Sequence, residues 1–248
     1  MAVNSISFAR NLSTETSRSP SPAIWSDCPL ESIKEDPSLG MYFFDDFNGP
    51  VGTVLQPTTE AGLSGIPYSG FGSAAAAITY GTGHGGELVQ TIATDNLATY
   101  VRSKGGFQIS SNRGRFWFEA RVKISTVADD NIGFILGMWD DVATSVVVPL
   151  STANPPIMAT TGNFVGFRAA EEDAGIVRSC YDADDAGQTT DAEVVVQASV
   201  HQFVADTYVK LGMKFNPQGY GGALGFSPRL CWFVNNTLQT SSKVIPNA

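Results

Sequence analysis

The chain has 248 residues, 43% of them hydrophobic and only 16% charged, with 24 acidic against 15 basic side chains and a net charge of −9. That hydrophobic share can bury a large core, and the acidic balance argues against nucleic acid or an anionic membrane surface as a partner, because both need basic patches. With so few charges, the surface must be built largely from Ser, Thr, Asn, Gln and Gly.

Residues 1–39 differ in composition from the rest of the chain. Ser13 to Pro22 is rich in Ser, Thr and Pro, and Pro29 and Pro37 come after it without helical or strand periodicity. The stretch reads as an extended N-terminal arm. It nevertheless carries Ile24, Trp25 and Leu30, and a solvated linker has no need of a Trp. These residues are expected to dock the arm onto a partner subunit or onto its own domain. Met1 to Phe8 has no basic stretch followed by an apolar core, so synthesis without a secretory signal is expected. No apolar run approaches the length of a membrane span.

Residues 40–248 read as one β-sandwich domain. Met41 to Phe44 is expected to be an apolar strand ending in the turn residues Asp45 to Pro50. Val51 to Ser73 reads as a loop punctuated by Gly and Pro. Ala74 to Ala77 suits a helical turn or the approach to Ile78–Tyr80. Glu87 to Ala93 and Thr99 to Lys104 are further strands, and Gly105-Gly106 turns the chain into Phe107 to Ser110. Arg115 to Ile124 alternates strictly. Phe116, Phe118, Ala120, Val122 and Ile124 face one side, while Arg115, Trp117, Glu119, Arg121 and Lys123 face the other, as in a half-buried antiparallel strand.

Asn131 to Trp139 is more continuously apolar, as for a strand covered on both faces. Asn163 to Ala169, Ile176 to Tyr181 and Glu193 to Val204 continue the series. Tyr208 to Phe215 and Arg229 to Val234 are joined by a Gly-rich loop, and they read as antiparallel neighbours. Asn235-Asn236 then makes a tight turn, because Asn tolerates left-handed backbone angles. Ten to twelve strands and no amphipathic helix point to an all-β sandwich or jelly roll.

The order of these segments resembles that of concanavalin A-like (laminin G or glucanase-type) jelly rolls. The Phe-Asp-Asp-Phe strand of residues 44–47 comes early, followed by Phe116-Trp117-Phe118-Glu119-Ala120-Arg121 and the glycine-bearing Ile132 to Gly137. The Tyr208–Phe215 strand then pairs with Leu230 to Asn236. The resemblance spans about residues 41–240. It implies an antiparallel jelly-roll sandwich, usually with Asp-Gly where this chain has Asn235-Asn236. It also implies a closing strand after that hairpin. Should Ser241 to Asn247 fail to supply it, an open edge would invite another chain, and the arm is a candidate to fill it in cis or in trans.

Chemistry-bearing motifs are sparse. Glucanases of this architecture carry Glu-x-Asp-x-x-Glu, which sets two carboxylates about 5–5.5 Å apart. Here Glu119 stands alone, and Glu171-Glu172-Asp173 reads as a solvated turn. Asp182, Asp184, Gly187 and Glu193 match four positions of a calcium loop, but Ala186 breaks the fifth, so a polar hairpin tip is the simpler reading. The acidic pairs Asp129-Asp130 and Asp140-Asp141 make a weaker case still. His84 lies in a Gly-rich connector, and neither it nor His201 sits in a nucleophile motif. Cys28, Cys180 and Cys231 fit no metal-ligand spacing and are expected as free buried thiols. No catalytic residue, metal or cofactor is therefore expected.

Trp117 falls on the polar face of its strand, where it would contact a protein partner, stack on a sugar, or pack under a covering loop. The composition, the arm and the missing catalytic motifs suggest a non-enzymatic virion protein. It is similar to the lectin-like decoration or cement proteins on tailed-phage capsids. Its expected partners are the major capsid protein and copies of itself in a homo-oligomer, with the arm docking on neighbouring capsid subunits. The alternative is a carbohydrate-binding or fibre-type adhesion module contacting surface glycan through an exposed aromatic face.

Overall fold

The structure, a computed structural model, describes residues 20–47, 68–72, 76–81, 87–92, 99–103, 114–128, 133–139, 163–170, 175–182 and 195–245. The loop around His84, the turn after Lys104, both acidic pairs, Glu171 to Asp173, and Asp184 with Glu193 lie outside these residues. The described elements are mostly antiparallel β-strands. The chain divides into two compact units.

One unit comprises Tyr42–Phe107 and Ala143–Val148. Its described strands are β1 (Tyr68–Gly72), β2 (Ala76–Tyr80), β3 (Leu88–Ile92) and β4 (Thr99–Ser103). β1 pairs with β4, and β2 with β3, both antiparallel. Ile78 and Tyr80 are buried against Phe47, Leu88 and Val101.

The other unit comprises Met1–Met41, Gln108–Val142 and Pro149–Ala248. It holds β5 (Phe116–Val122), β6 (Phe134–Trp139), β7 (Phe164–Ala169), β8 (Ile176–Asp182), β9 (Val195–Gln202), β10 (Val209–Asn216), β11 (Arg229–Val234) and β12 (Thr237–Val244). One sheet has the order β12-β11-β10-β5 and the other β6-β7-β8-β9. The chain leaves β5, runs the second sheet as a four-strand meander, and returns to pair β10 with β5 before folding back through β11 and β12.

Period-two patterning places one face of each sheet in a shared core. Phe116, Val209, Leu211, Met213, Phe215, Leu230, Trp232 and Val234 come from the first sheet, and Val165, Phe167, Ala169 and Val177 from the second. Trp232 is fully buried, and its indole N–H donates to the Gly166 carbonyl across the core at 3.1 Å. A buried indole nitrogen needs such a partner. Gly166 is the cross-strand partner of Gly137, and a Cβ on either would strike the backbone of the other strand. The glycines therefore let β6 and β7 run closer than side chains would allow. At the sheet margin, Gln197 Oε1 accepts from the Ser241 amide at 3.0 Å and the Thr240 hydroxyl at 3.2 Å, linking β9 to β12.

Several readings of the sequence need correction. Met41 to Phe44 form no strand. The segment is exposed, and the Phe47 amide bends back to Asp45 Oδ1 at 2.6 Å, which turns the chain instead of extending it. Tyr68–Gly72, within the expected loop, is a strand because β4 supplies its ladder. Ala76 and Ala77 open β2 and are not a helical turn. β6 is half-buried throughout, not covered on both faces.

Residues 20–39 are not extended. Helix α1 (Pro22–Trp25), helix α2 (Leu30–Glu35) and a 3-10 turn (Pro37–Leu39) occupy them. Pro22 and Pro37 start two of these turns, where proline's fixed φ suits the first helical position. Nor does this segment fill a sheet edge among the described residues. β12 is the strand that follows the hairpin, and residues 20–28 lie on a sheet face.

Candidate functional site

The face of β5, β10 and β11 turned away from the core is where the sequence spends its unusual residues. Strand register sets them in rows: Trp117, Lys214 and Cys231 in one, and Glu119, Gly212 and Phe233 in the next, with Arg121 beside Lys210. Lysines at two positions of an eight-residue strand buried throughout are costly unless paired.

Residues 20–28 lie over these rows. Ile24 is 1% exposed and packs on Cys231 and Phe233, with Trp25, Trp117, Tyr220 and Leu224 around it. Gly212 provides the space: a Cβ there would collide with Ile24 Cδ1 and stand 3.0 Å from the Phe118 carbonyl oxygen. The Gly-rich loop after β10 forms a wall. Tyr220 donates its hydroxyl to the Lys214 carbonyl at 3.0 Å, and the Lys214 ammonium lies 5.6 Å from its ring centroid.

Two carboxylates fasten the segment. Glu119 Oε2 accepts from the Ser21 amide at 3.0 Å and from the Trp25 indole at 2.8 Å. Its Oε1 accepts from the Ser21 hydroxyl at 3.1 Å and lies 3.7 Å from Lys210 Nζ. The Glu119 and Lys210 side chains are 10% and 5% exposed, so this is a buried pair. Burial pushes the Lys210 ammonium below its ordinary range, with Glu119 opposing. Asp27 Oδ1 faces Lys214 Nζ at 2.8 Å and the Trp117 indole N–H at 3.1 Å, and Oδ2 faces Arg115 Nη1 at 3.4 Å. Burial pushes the Asp27 carboxyl up, but hydrogen bonds from Lys214 and Trp117 and the charges of Lys214 and Arg115 outweigh it and hold the group below its ordinary value. A third fastening comes from the hairpin turn. Asn235 and Asn236 both have left-handed φ, 47° and 68°, as a two-residue hairpin turn requires. Asn236 Oδ1 accepts from the Ala23 amide at 2.7 Å, while Asn235 Oδ1 accepts from the Lys210 amide at 2.9 Å.

Of the four candidate contact residues, the structure brings Ile24, Trp25 and Trp117 into one cluster. Leu30 stands apart, half-buried on α2, whose buried residue is Ile33. Asp182 is buried at the end of β8, opposite Phe164. His201 lies edge-on to Phe203 at 6.0 Å on β9. All three cysteines are buried thiols that form no disulfide with one another. Burial, with the Asp27 charge, pushes the Cys28 thiol up to about 11, and burial pushes Cys231 up to about 11. Neither is a thiolate nucleophile near neutral pH.

Sequence reading gave no site role to Asp27, Lys210, Gly212 or Lys214, and read Asn236 only as a turn residue. The available signal was two lysines four apart on the polar face of an alternating strand, with a Glu on the polar face of another alternating strand. Each of the two carboxylates already faces hydrogen-bond donors and a cation. No family model, curated protein or solved structure matches the chain.

Proposed function

We propose that the chain is a non-enzymatic structural protein of a virion, a capsid decoration protein of a tailed bacteriophage. In this reading the sandwich is a concanavalin A-like jelly roll, and residues 1–39 are its arm. The major capsid protein and further copies of the chain are its partners. The observation that supports the reading best is the fastening of residues 20–28. A Ser/Thr/Pro-rich leader is joined to a sandwich through an anchor made of a buried ion pair, a partly exposed ion-pair cluster around the buried Lys214 and a well-packed isoleucine. Such an anchor transmits load between whatever the leader grips and the domain it carries, and many copies on one particle add avidity.

The occupied carboxylates support the non-enzymatic side of the reading. Glu119 and Asp27 are tied to Lys210 and Lys214 and accept from two indoles, so neither is poised as a general acid. Trp117, the candidate platform of the glycan-binding alternative, gives its N–H to Asp27 and packs partly buried in the cluster around Ile24, which favours the anchor reading.

The test is density-gradient fractionation of a lysate of the source, with mass spectrometry across the gradient. Co-migration with intact particles at a fixed ratio to the main capsid protein is expected. Recovery in the soluble fraction alone would overturn the virion reading.

A further inference from the structure

Among the described residues, β12 ends one sheet of the sandwich and β9 ends the other. β12 is eight residues long, and Lys243 is its one charged side chain. A strand of that length and polarity at a sheet edge is a template for another chain. Its margin is built against that use. Cys231 pairs with Ser242 and Phe233 with Leu238, so Trp232 alone faces Gln239, Thr240 and Ser241. β12 therefore bulges in mid-strand, and a bulge bends an edge out of the line a second strand needs. β9 breaks register as well. Val177 pairs with His201 and Ser179 with Gln197, which sets Arg178 against Ala198, Ser199 and Val200.

Gln197, at the border of the β9 bulge, joins the two margins. Its Oε1 accepts from the Ser241 amide at 3.0 Å and from the Thr240 hydroxyl at 3.2 Å. Its Nε2 donates to the Ser199 carbonyl at 3.0 Å, which fixes the side-chain amide from the other end. Both acceptor bonds go to the bulged residues of β12, so the Ser241 N–H that an incoming strand would use is already bonded. Lys243 adds a second barrier. It pairs with the fully buried Leu230, which turns it to the inner face, and its ammonium lies 5.3 Å from the Tyr181 ring centroid. A charge on the inner face of an edge strand disfavours continuing the sheet, because an added strand would bury it further.

We propose that Gln197 guards the β12 edge against strand addition, and that the strand it excludes is β12 of a second copy of this chain. The excluded pairing is antiparallel. With its two-fold axis between Thr240 and Ser241, each Lys243 lies opposite a Leu238, so like charges do not oppose each other. The inference does not rest on the virion reading, because it concerns the chain alone in solution.

The test compares variants of the full chain by sedimentation velocity at matched concentrations. Gln197→Met keeps the bulk of the side chain but removes the acceptor. It is expected to double in mass relative to the wild type as concentration rises. Gln197→Glu keeps the acceptor oxygens and is expected to hold the wild-type mass. Gln197→Met with Ser241→Pro is expected to return to that mass, because proline offers no N–H to a second strand and is tolerated at a sheet edge. A folded Gln197→Met chain, judged by near-UV circular dichroism, that keeps the wild-type mass at every concentration would overturn the proposal. So would a double variant that associates as strongly as Gln197→Met, since the contact then bypasses the β12 edge. Independently of any variant, the wild-type Ser241 amide is expected to exchange roughly tenfold or more slowly than in an unstructured chain. Exchange of that amide at the unstructured rate would refute the clamp.

Discussion

At the residue scale, Glu119 is the centre of the anchor, because its four contacts join three parts of the chain: α1 with the residue before it, β5 and β10. Its removal takes a carboxylate away from the buried Lys210 ammonium, which costs more than the lost neutral hydrogen bonds alone. Glu119→Ala is expected to lower unfolding free energy by about 3 kcal/mol in urea titration. Glu119→Gln, which keeps one acceptor oxygen, is expected to cost roughly half as much. Asp27 gives the anchor a pH dependence. A carboxyl held below its ordinary value of 3.8 stabilises the docked state above that value and loses the contribution as pH falls through the lower, native value. Trp25 emission should therefore shift toward that of a solvated indole in acid below about pH 4, before the core unfolds. Asp27→Asn should remove that early step. An unchanged acid profile in the variant would exclude Asp27 as its source.

At the scale of elements, the strands were legible where period two was clean. The alternation of Arg115 to Ile124 maps onto β5, and Tyr208 to Phe215 with Arg229 to Val234 map onto β10 and β11 in antiparallel register. Two local signals misled. Met41 to Phe44 has strand-like residues but no ladder, because apolarity alone does not supply a pairing partner. Tyr68–Gly72 has two glycines and reads as loop, yet pairs along its length with β4. Helices α1 and α2 span four and six residues, too few for a 3.6-residue period to register.

The hairpin turn of β11 and β12 separates fold from docking. Asn236→Gly retains the left-handed backbone of the turn but deletes the acceptor for the Ala23 amide. It is expected to leave the β10–β11–β12 ladder intact in amide exchange while loosening residues 20–28. Loss of both together would mean the side chain holds the turn itself. In the core, Trp232→Phe removes the indole's hydrogen bond to the Gly166 carbonyl, at an expected cost of about 1 kcal/mol by thermal or urea unfolding, besides the lost packing.

At the scale of the whole molecule, an acidic chain with few charges builds its sandwich core from alternating strands and places two buried lysines, Lys210 and Lys214, on one outer sheet face. That concentration was hard to foresee, because the pairing of Asp27 with Lys214 and of Glu119 with Ser21 joins residues far apart in sequence. Within its own strand, the alternation puts Lys210 and Lys214 only at polar positions, as on a solvated face. Glu119 of the neighbouring strand faces Lys210, and the Asp27 that faces Lys214 comes from a segment whose composition reads as an extended arm.

The central claim is that residues 20–28 are a fastened part of the fold, held by Glu119. Hydrogen–deuterium exchange read by mass spectrometry on the full chain tests it most directly. Slow exchange is expected for the peptide carrying the Ser21, Ala23, Ile24 and Trp25 amides, with protection lost in Glu119→Ala while β10 and β11 stay protected. Exchange of that peptide at the rate of an unstructured chain in the wild-type protein would contradict the claim.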